Sequence, residues 1–530
     1  MRRALLATVL ALLAAGCGKG PVTRGDCPTD ERCLRAGNVS DPGTLDPARA
    51  FVKQEQTVIN DLLVGLTTFD AAGRPVPGIA ERWTVSPDRL TWTFHLRPAQ
   101  WSDGVAMTAQ DFVFSLRRVA DPKTGALYAN LIYPFLNARA VIRGRLPPER
   151  LGVEAPDSRT VVIRLEHPVP YLPDLMAHYG LVPVPPHAVR RWGDGWTAPG
   201  RFVSNGPFRL AEWRLGDRLI LVKNPRFHDA SSVCLDRVVY LPINDYVSAE
   251  RQVKRGELDL NSAFAANRIR YLRGAGGMGA YVRTHPWTDL VYVVFNQKHP
   301  PFQDVRVRQA LAMAIDRQFI ARRLLGAGQA PADAFVPPGM GALPAAPDWA
   351  GLSFAQRQAR AKALLAQAGY GPERPLRFQL KTFIAFERVT PVLQADWRAI
   401  GVEVTLSTTD IPVFFGELQT GAFEAGLTDW IADYPDPTNF LNLMRSDEPG
   451  ANYGGFEDPE YDRLVGAAER EADAGARARL LQAAERRLLQ AAPVAPVWVN
   501  PSQNLVNPRI TGWVDNVADV HPKRWVCFRE

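Results

Sequence analysis

The sequence predicts an α/β protein of more than one domain, on three observations. The chain has 530 residues, beyond the size at which one hydrophobic core normally serves, so two or three domains are expected. Short β-forming runs alternate with longer stretches of helical periodicity in both halves of the chain, the pattern of the α/β class. No internal repeat or low-complexity tract breaks that alternation.

Each element has its own justification. "LTWTFHLRP" places Leu90, Trp92, Phe94 and Leu96 at every second position, the pattern of a half-buried strand, and "WSDG" turns the chain. In "TAQDFVFSLRRV", Thr108 and Asp111 have the spacing of a capping box, while Phe112, Leu116 and Val119 form the buried stripe of a helix. "NGPFRLAEWRLGDRLILVKNP" reads as strand, turn, strand, and "DLVYVVFNQ" as a strongly β-forming run. "DVRVRQALAMAIDRQFIARRLLGAG" predicts one helix with Val307, Leu311, Ile315 and Phe319 on its buried face and a stop at Gly326. A helix is expected over 355–368. Strands are expected at "PLRFQLKTF" and "VEVTLSTTD" around a helix near 389–399, with late helices through "YDRLVGAAERE" and "ARARLLQAAERRLLQ".

The N-terminus "MRRALLATVLALLAAGCGKG" has a basic start at Arg2 and Arg3 and an apolar run from Ala4 to Ala15, too short to be a permanent membrane span. This is the layout of a secretory signal. A cysteine directly after "AAG" resembles the lipobox of bacterial lipoproteins, which implies cleavage after residue 16 and lipidation of Cys17, although Ala14 stands where that pattern prefers leucine. Gly18 after it lacks the aspartate that marks inner-membrane retention in some bacteria. Residues 17–33 read as a lipidated tether, with the folded part beginning near Leu34. Cys27, Cys33, Cys234 and Cys527 remain, an even number in an exported protein, and read as disulfides. A local Cys27–Cys33 pair with a long-range Cys234–Cys527 pair is preferred among three connectivities.

Several functions are excluded. The net charge is +7, but its arginines are scattered singly or in pairs, which argues against nucleic acid. There is no CxxC, and the eight histidines lack ligand spacing, His178 and His187 included, so no metal or other cofactor is expected. GxSxG, HExxH, Walker A and dinucleotide fingerprints are absent, and "GAGGMG" at 274–279 reads as a loop. No enzyme is expected. The stretch "LTDWIADYPDPTNFL", Leu427 to Leu441, sets Asp429, Trp430, Asp433, Tyr434 and Asp436 close together, a composition suited either to a cation site or to a plain loop.

Five segments then share one likeness: "DPGTLDP" at 41–47, "GIAERWTVSPDRLTWTFHLRPAQWSDGVAMTAQDFVFSLRRVADP" at 78–122, "SNGPFRLAEW" at 204–213, "FNQKHPPFQDVRVRQALAMAIDR" at 295–317 and "ADYPDPTNFL" at 432–441. Together they resemble the periplasmic oligopeptide- and dipeptide-binding proteins of ABC importers, solute-binding protein family 5, over nearly the whole chain from Leu34. The resemblance implies a periplasmic binding protein-like, two-lobe fold of class II with three domains, the first discontinuous. Its pieces would be 34–63, 186–282 and 500–530, with a second domain at 64–185 and a third at 283–499. It also implies a monomer in the periplasm that delivers peptides to an ABC importer without turnover, and the lipobox-like N-terminus adds a lipid anchor to the membrane.

In that family an aspartate at the position of Asp433 holds the peptide's α-amino group; a plainer reading makes Asp433 a helix-entry acid, a role that Asp436-Pro437 fills better. Trp430 matches a tryptophan lining the cleft, and Tyr128 a pocket tyrosine of the second domain. The basic side chains that hold the peptide carboxylate in oligopeptide receptors are replaced by Leu325, Phe386 and Leu427, a family tryptophan is replaced near Ile411, and an acidic position becomes Phe51. Arg388 falls close to a carboxylate-binding arginine of dipeptide receptors. The ligand expected is a peptide with a free amine in an unusually apolar pocket. The competing expectation keeps the fold and gives it a specialised ligand (a cell-wall peptide, opine, metal complex or signalling peptide) as receptor or sensor; an exported peptide hydrolase is the reading from another class.

Overall fold

The computed structural model describes residues 26–274, 277–341, 345–448 and 450–529; the predicted signal and Cys17 lie outside the described residues. An eleven-stranded mixed sheet carries the architecture. Its strands run in the spatial order Val402–Thr409, Leu376–Phe383, Ala425–Ile431, Val282–Phe295, Val494–Val506, Leu260–Asn261, Cys33–Gly37, Arg237–Leu241, Arg218–Lys223 and Phe208–Arg214, with Ala330–Pro331 also pairing on Val494–Val506. A separate four-stranded antiparallel sheet holds Ala80–Val85, Thr91–Leu96, Thr160–Arg164 and Val153–Asp157.

Two large hydrophobic cores define two lobes. One gathers Leu34, Val58, Phe94, Phe112, Trp196 and Leu260; the other gathers Leu290, Leu311, Trp397, Leu427, Phe440 and Trp498. The two long strands Val282–Phe295 and Val494–Val506 run through both halves. Their ladder is broken where Pro286 faces Pro501, two residues without an N–H to donate, and the register slips between Pro286 and Asp289. Trp287 and Thr288 lie in that slip. A weakened ladder between two separately packed cores is where a two-lobe protein can bend.

The local chemistry follows the sequence patterns. In Thr91–Leu96 the inward positions Trp92, Phe94 and Leu96 are buried in alternation. The helix Ala109–Ala120 is capped by Thr108 with Asp111 reaching back, and buries Phe112, Leu116 and Val119. "DPGTLDP" is held twice: Arg118 grips Asp46 with two bonds of 2.8 and 2.5 Å, and Glu55 accepts from the backbone N–H groups of Gly43, Thr44, Phe51 and Val52. Glu55 thereby fixes the path of residues 51–53 into the helix Lys53–Leu62.

Two expectations differ from the structure. The single helix expected over 304–328 is interrupted: Val305–Met313 ends before Asp316, whose carboxylate re-caps the chain at Phe319 N, and a wide-turn segment Ile320–Leu325 completes it. The cause is Arg317, buried with its guanidinium donating to the carbonyls of Ala312 and Ile315, groups that a continuous helix would occupy. The interruption turns Phe319 outward, 44% exposed, while Val307, Leu311 and Ile315 stay buried. The folded chain also begins upstream of Leu34. Asp26 pairs with Arg218 at 2.8 Å, Glu31 pairs with Arg237 at 2.6 Å, and Cys33 already belongs to a strand. The described structure pairs Cys27 with Cys33 and Cys234 with Cys527, the second bridge spanning 293 residues of sequence.

Candidate functional site

Where the two lobes face one another, the stretch 427–441 forms the wall of one of them. The strand Ala425–Ile431 ends, Ala432 donates its N–H to Thr288 O at 2.9 Å, and Pro437 leads into the short helix Thr438–Leu441. Asp436 serves that helix: it accepts from Thr438 N and Oγ1 and is clamped by both terminal nitrogens of Arg477 at 2.8 Å. Asp433 is left to the cleft. Trp430 Nε1 donates to Asn439 Oδ1 at 2.8 Å, so the amide end of Asn439 is free to serve as donor, and Asp433 takes it. Burial pushes the Asp433 carboxyl up to about 7, against the opposing pull of that Asn439 bond.

Across from Asp433 lies an aromatic box from the other lobe. His178 is buried and pushed down to about 3 by desolvation, so it is neutral. Its Nδ1 accepts the Gly180 N–H at 3.1 Å, which leaves the ring proton on Nε2, 3.8 Å from Asp433 Oδ1. The Tyr128 ring stands 5.0 Å from His178 and 5.9 Å from Phe51. Burial, and the nearby Asp433 charge, raise the Tyr128 hydroxyl above its usual range. Tyr171 and Tyr434 stack across the lobes, 4.4 Å between centroids and nearly parallel.

That tyrosine pair partitions the cleft. A cavity of about 270 Å³ is lined by Phe51, Lys53, Tyr128, His178, Trp287 and Asp433. A second of about 240 Å³ holds Trp430, Asp433, Asn439, Arg139, Glu448 and Tyr133. A third of about 670 Å³ lies beyond Tyr171, against Trp92, Asp436 and Arg477. Asp433 lines the first two. Arg139–Glu448 at 2.5 Å and the bond from Arg89 Nη1 to Ala472 O at 2.5 Å tie the lobes at the rim.

The structure therefore brings Asp433, Trp430 and Tyr128 around one cleft. Arg388 is exposed and lines none of these three cavities. Phe386 and Leu427 are buried in the core of the lobe, and Leu325 packs against it. Tyr434 belongs to the stretch that the sequence singles out, whereas sequence reasoning missed Tyr171 and Lys53 and read His178 only against metal spacing, although an aromatic neighbour, Tyr179, sits directly beside it. Among the described residues no group of three or more His, Cys, Asp or Glu is placed to hold a metal ion. What the arrangement offers chemically is a desolvated carboxylate in an aromatic enclosure, suited to pairing with a cation.

Two strand-linked lobes facing one another across a cleft are the architecture of a solute-binding protein. The family of bacterial extracellular solute-binding proteins, family 5, matches residues 74–452. The chain belongs to that family, whose members bind solutes rather than transform them. It is 34% identical to the periplasmic oligopeptide-binding protein OppA of Salmonella typhimurium, covering 95% of this chain and 94% of that one. It is 35% identical to the probable deoxycholate-binding periplasmic protein YgiS of Escherichia coli, covering 93% and 94%. The structure of the Escherichia coli murein tripeptide binding protein MppA superposes with a TM-score of 0.84 at 34% identity, covering 94% of this chain and 99% of that one. The mixed α/β, two-lobe fold is thus the periplasmic binding protein fold.

Proposed function

We propose that this chain is an extracytoplasmic receptor that captures peptides by their free amino terminus and delivers them to an ABC importer. Asp433 pairs with the ammonium, Trp430 and Tyr128 wall the first residue, and the peptide backbone lies between the lobes as they close. Cys17 carries a lipid that holds the monomer at the membrane, and the lobes hinge near Pro286 and Pro501, between the segments 186–282 and 283–499. The observation that carries this reading is the buried Asp433 carboxyl. An ammonium entering the cavity relieves the desolvation that holds that carboxyl near 7, in a medium where such pairs are strong. OppA, a relative of this chain, is named for binding oligopeptides.

A specialised ligand is the second reading. Leu427 and Phe386 are apolar and buried, and Ile384, Ile411 and Val413 are 60%, 48% and 47% exposed at the ends of neighbouring strands. YgiS, named for deoxycholate, shows that chains this similar are credited with non-peptide ligands. Native mass spectrometry of the protein purified from rich medium, beside Asp433→Ala, separates the two. A ladder of peptide masses lost in the variant supports amine capture. A single non-peptide mass supports the specialised ligand, and a peptide ladder unchanged by Asp433→Ala removes Asp433 as the anchor.

A further inference from the structure

The cavity that contains Asp433 is also lined by a half-buried cation, Lys53, that the amine reading leaves unused. Lys53 is the first residue of the helix Lys53–Leu62, and Glu55 pins the backbone just before it. Its ammonium lies 4.7 Å over the Trp287 indole and pairs with Asp519. Asp519 sits in left-handed backbone, φ 50°, and its other oxygen accepts from Asn504 at 2.9 Å and His521 at 3.0 Å. The conformation is therefore held from three sides with the carboxylate aimed at Lys53. Asp519 takes one of the three ammonium donors, the charge of Asp289 also acts on Lys53, and Lys53 lines the cavity that Asp433 lines. Arg74 also lines this cavity, but its side chain is 77% exposed and spent on Asp70.

Lys53 and Asp433 are close neighbours through the chain between them. Lys53 covers Trp287; Thr288 follows it and bonds Ala432, which precedes Asp433. One strand spacing and one residue, with their side chains, put the two charges on the order of 10 Å apart. An extended peptide advances about 3.3–3.6 Å per residue, so two or three residues span them.

We propose that Lys53 is the carboxylate anchor of this receptor, and that the site takes short zwitterionic peptides of two or three residues held at both ends. This rests on amine capture at Asp433. It gives the ligand's far end the positive partner that Leu325, Phe386 and Leu427 do not supply. Burial, with the nearby Lys523, lowers the Lys53 ammonium to about 7, so a bound carboxylate would also secure its charge.

The test is calorimetric titration of the protein with Leu-Ala-Leu, its C-terminal amide, its N-acetyl form and the hexapeptide (Leu-Ala)₃. The free acid is expected to bind at least tenfold tighter than the amide and the hexapeptide. Lys53→Met should lose that preference by weakening the acid alone, and Lys53→Arg should keep it. Acid and amide binding equally to the parent, with the N-acetyl form rejected, overturns the Lys53 anchor and leaves amine capture standing. An N-acetyl form that binds as well as the free amine overturns amine capture, while the acid-to-amide ratio still decides Lys53. If none of the four binds, both fall. The acid-to-amide ratio of the parent needs no variant to fold.

Discussion

Asp433→Asn is expected to stabilise the empty protein while abolishing amine capture. In the folded chain the Asp433 carboxyl titrates near 7, against an ordinary 3.8. Between those values the folded state holds a proton that the unfolded state has lost, so stability falls as pH rises from about 4 to about 7 and is level above that. That rise from 3.8 to about 7 sets an upper bound of about 4 kcal/mol, at about 1.36 kcal/mol for each tenfold change in proton affinity. Relaxation and water entering the cavity reduce the net to about 2 kcal/mol, since buried sites behave as if their effective dielectric were high. Asparagine keeps the acceptor for Asn439 and never ionises. Its melting temperature should equal that of the parent at pH 4.5 and exceed it at pH 8 by about 2–4 °C, for melting units the size of a lobe or larger. Ligand-free protein melted across that range provides the assay. Curves that stay parallel at every pH, or a variant less stable at pH 8, would refute the account of Asp433 as a desolvated, unpaired carboxylate.

Three further outcomes follow from the same geometry. Peptide affinity should fall as pH drops below about 7, by up to tenfold per unit, because the ammonium pairs only with the ionised Asp433 and its proton must first leave; titration calorimetry from pH 8 to pH 5 reads this directly. Asn439→Ala removes the group that accepts from Trp430 and donates to Asp433, and should weaken binding about tenfold by equilibrium titration, about 1.4 kcal/mol for one charge-assisted bond. Cys527→Ser opens a bridge between residues 293 apart in sequence; it should cost about 2–4 kcal/mol of stability in denaturant melts and leave the peptide affinity unchanged, since neither sulfur lines the cleft.

How much of this was legible in the sequence depends on how local each signal is. The strand Thr91–Leu96 and the capped helix Ala109–Ala120 rest on periodicity and on a three-residue spacing, and both stand as read. The helix expected over 304–328 failed at Arg317, because the side chain that takes the carbonyls of Ala312 and Ile315 is held there by further bonds to Ala332 O and, 179 residues away, Pro496 O. Periodicity carries no record of a tertiary bond. The early edge of the fold failed in the same way: Asp26 and Glu31 look like tether residues until Arg218 and Arg237 are brought beside them.

The site divides along the same line. Asp433 and Trp430 sit in one short stretch whose acids and aromatics are visible at a glance, and the division of labour between Asp433 and Asp436 follows from a local proline. His178 and Lys53 had no such marker. Each becomes significant only through a partner more than two hundred residues away, Asp433 for one and Trp287 with Asp519 for the other. Lys53 is the sharper case, because the positions where the family resemblance places bases hold Leu325, Phe386 and Leu427, and Lys53 stands far from all three in the chain. A base can reach a cavity from any position in the chain that the fold brings beside it. Trp287 and Thr288, at the slipped register, connect the two: Lys53 lies over Trp287, Thr288 O accepts from Ala432 N, and Lys53 and Asp433 line one cavity.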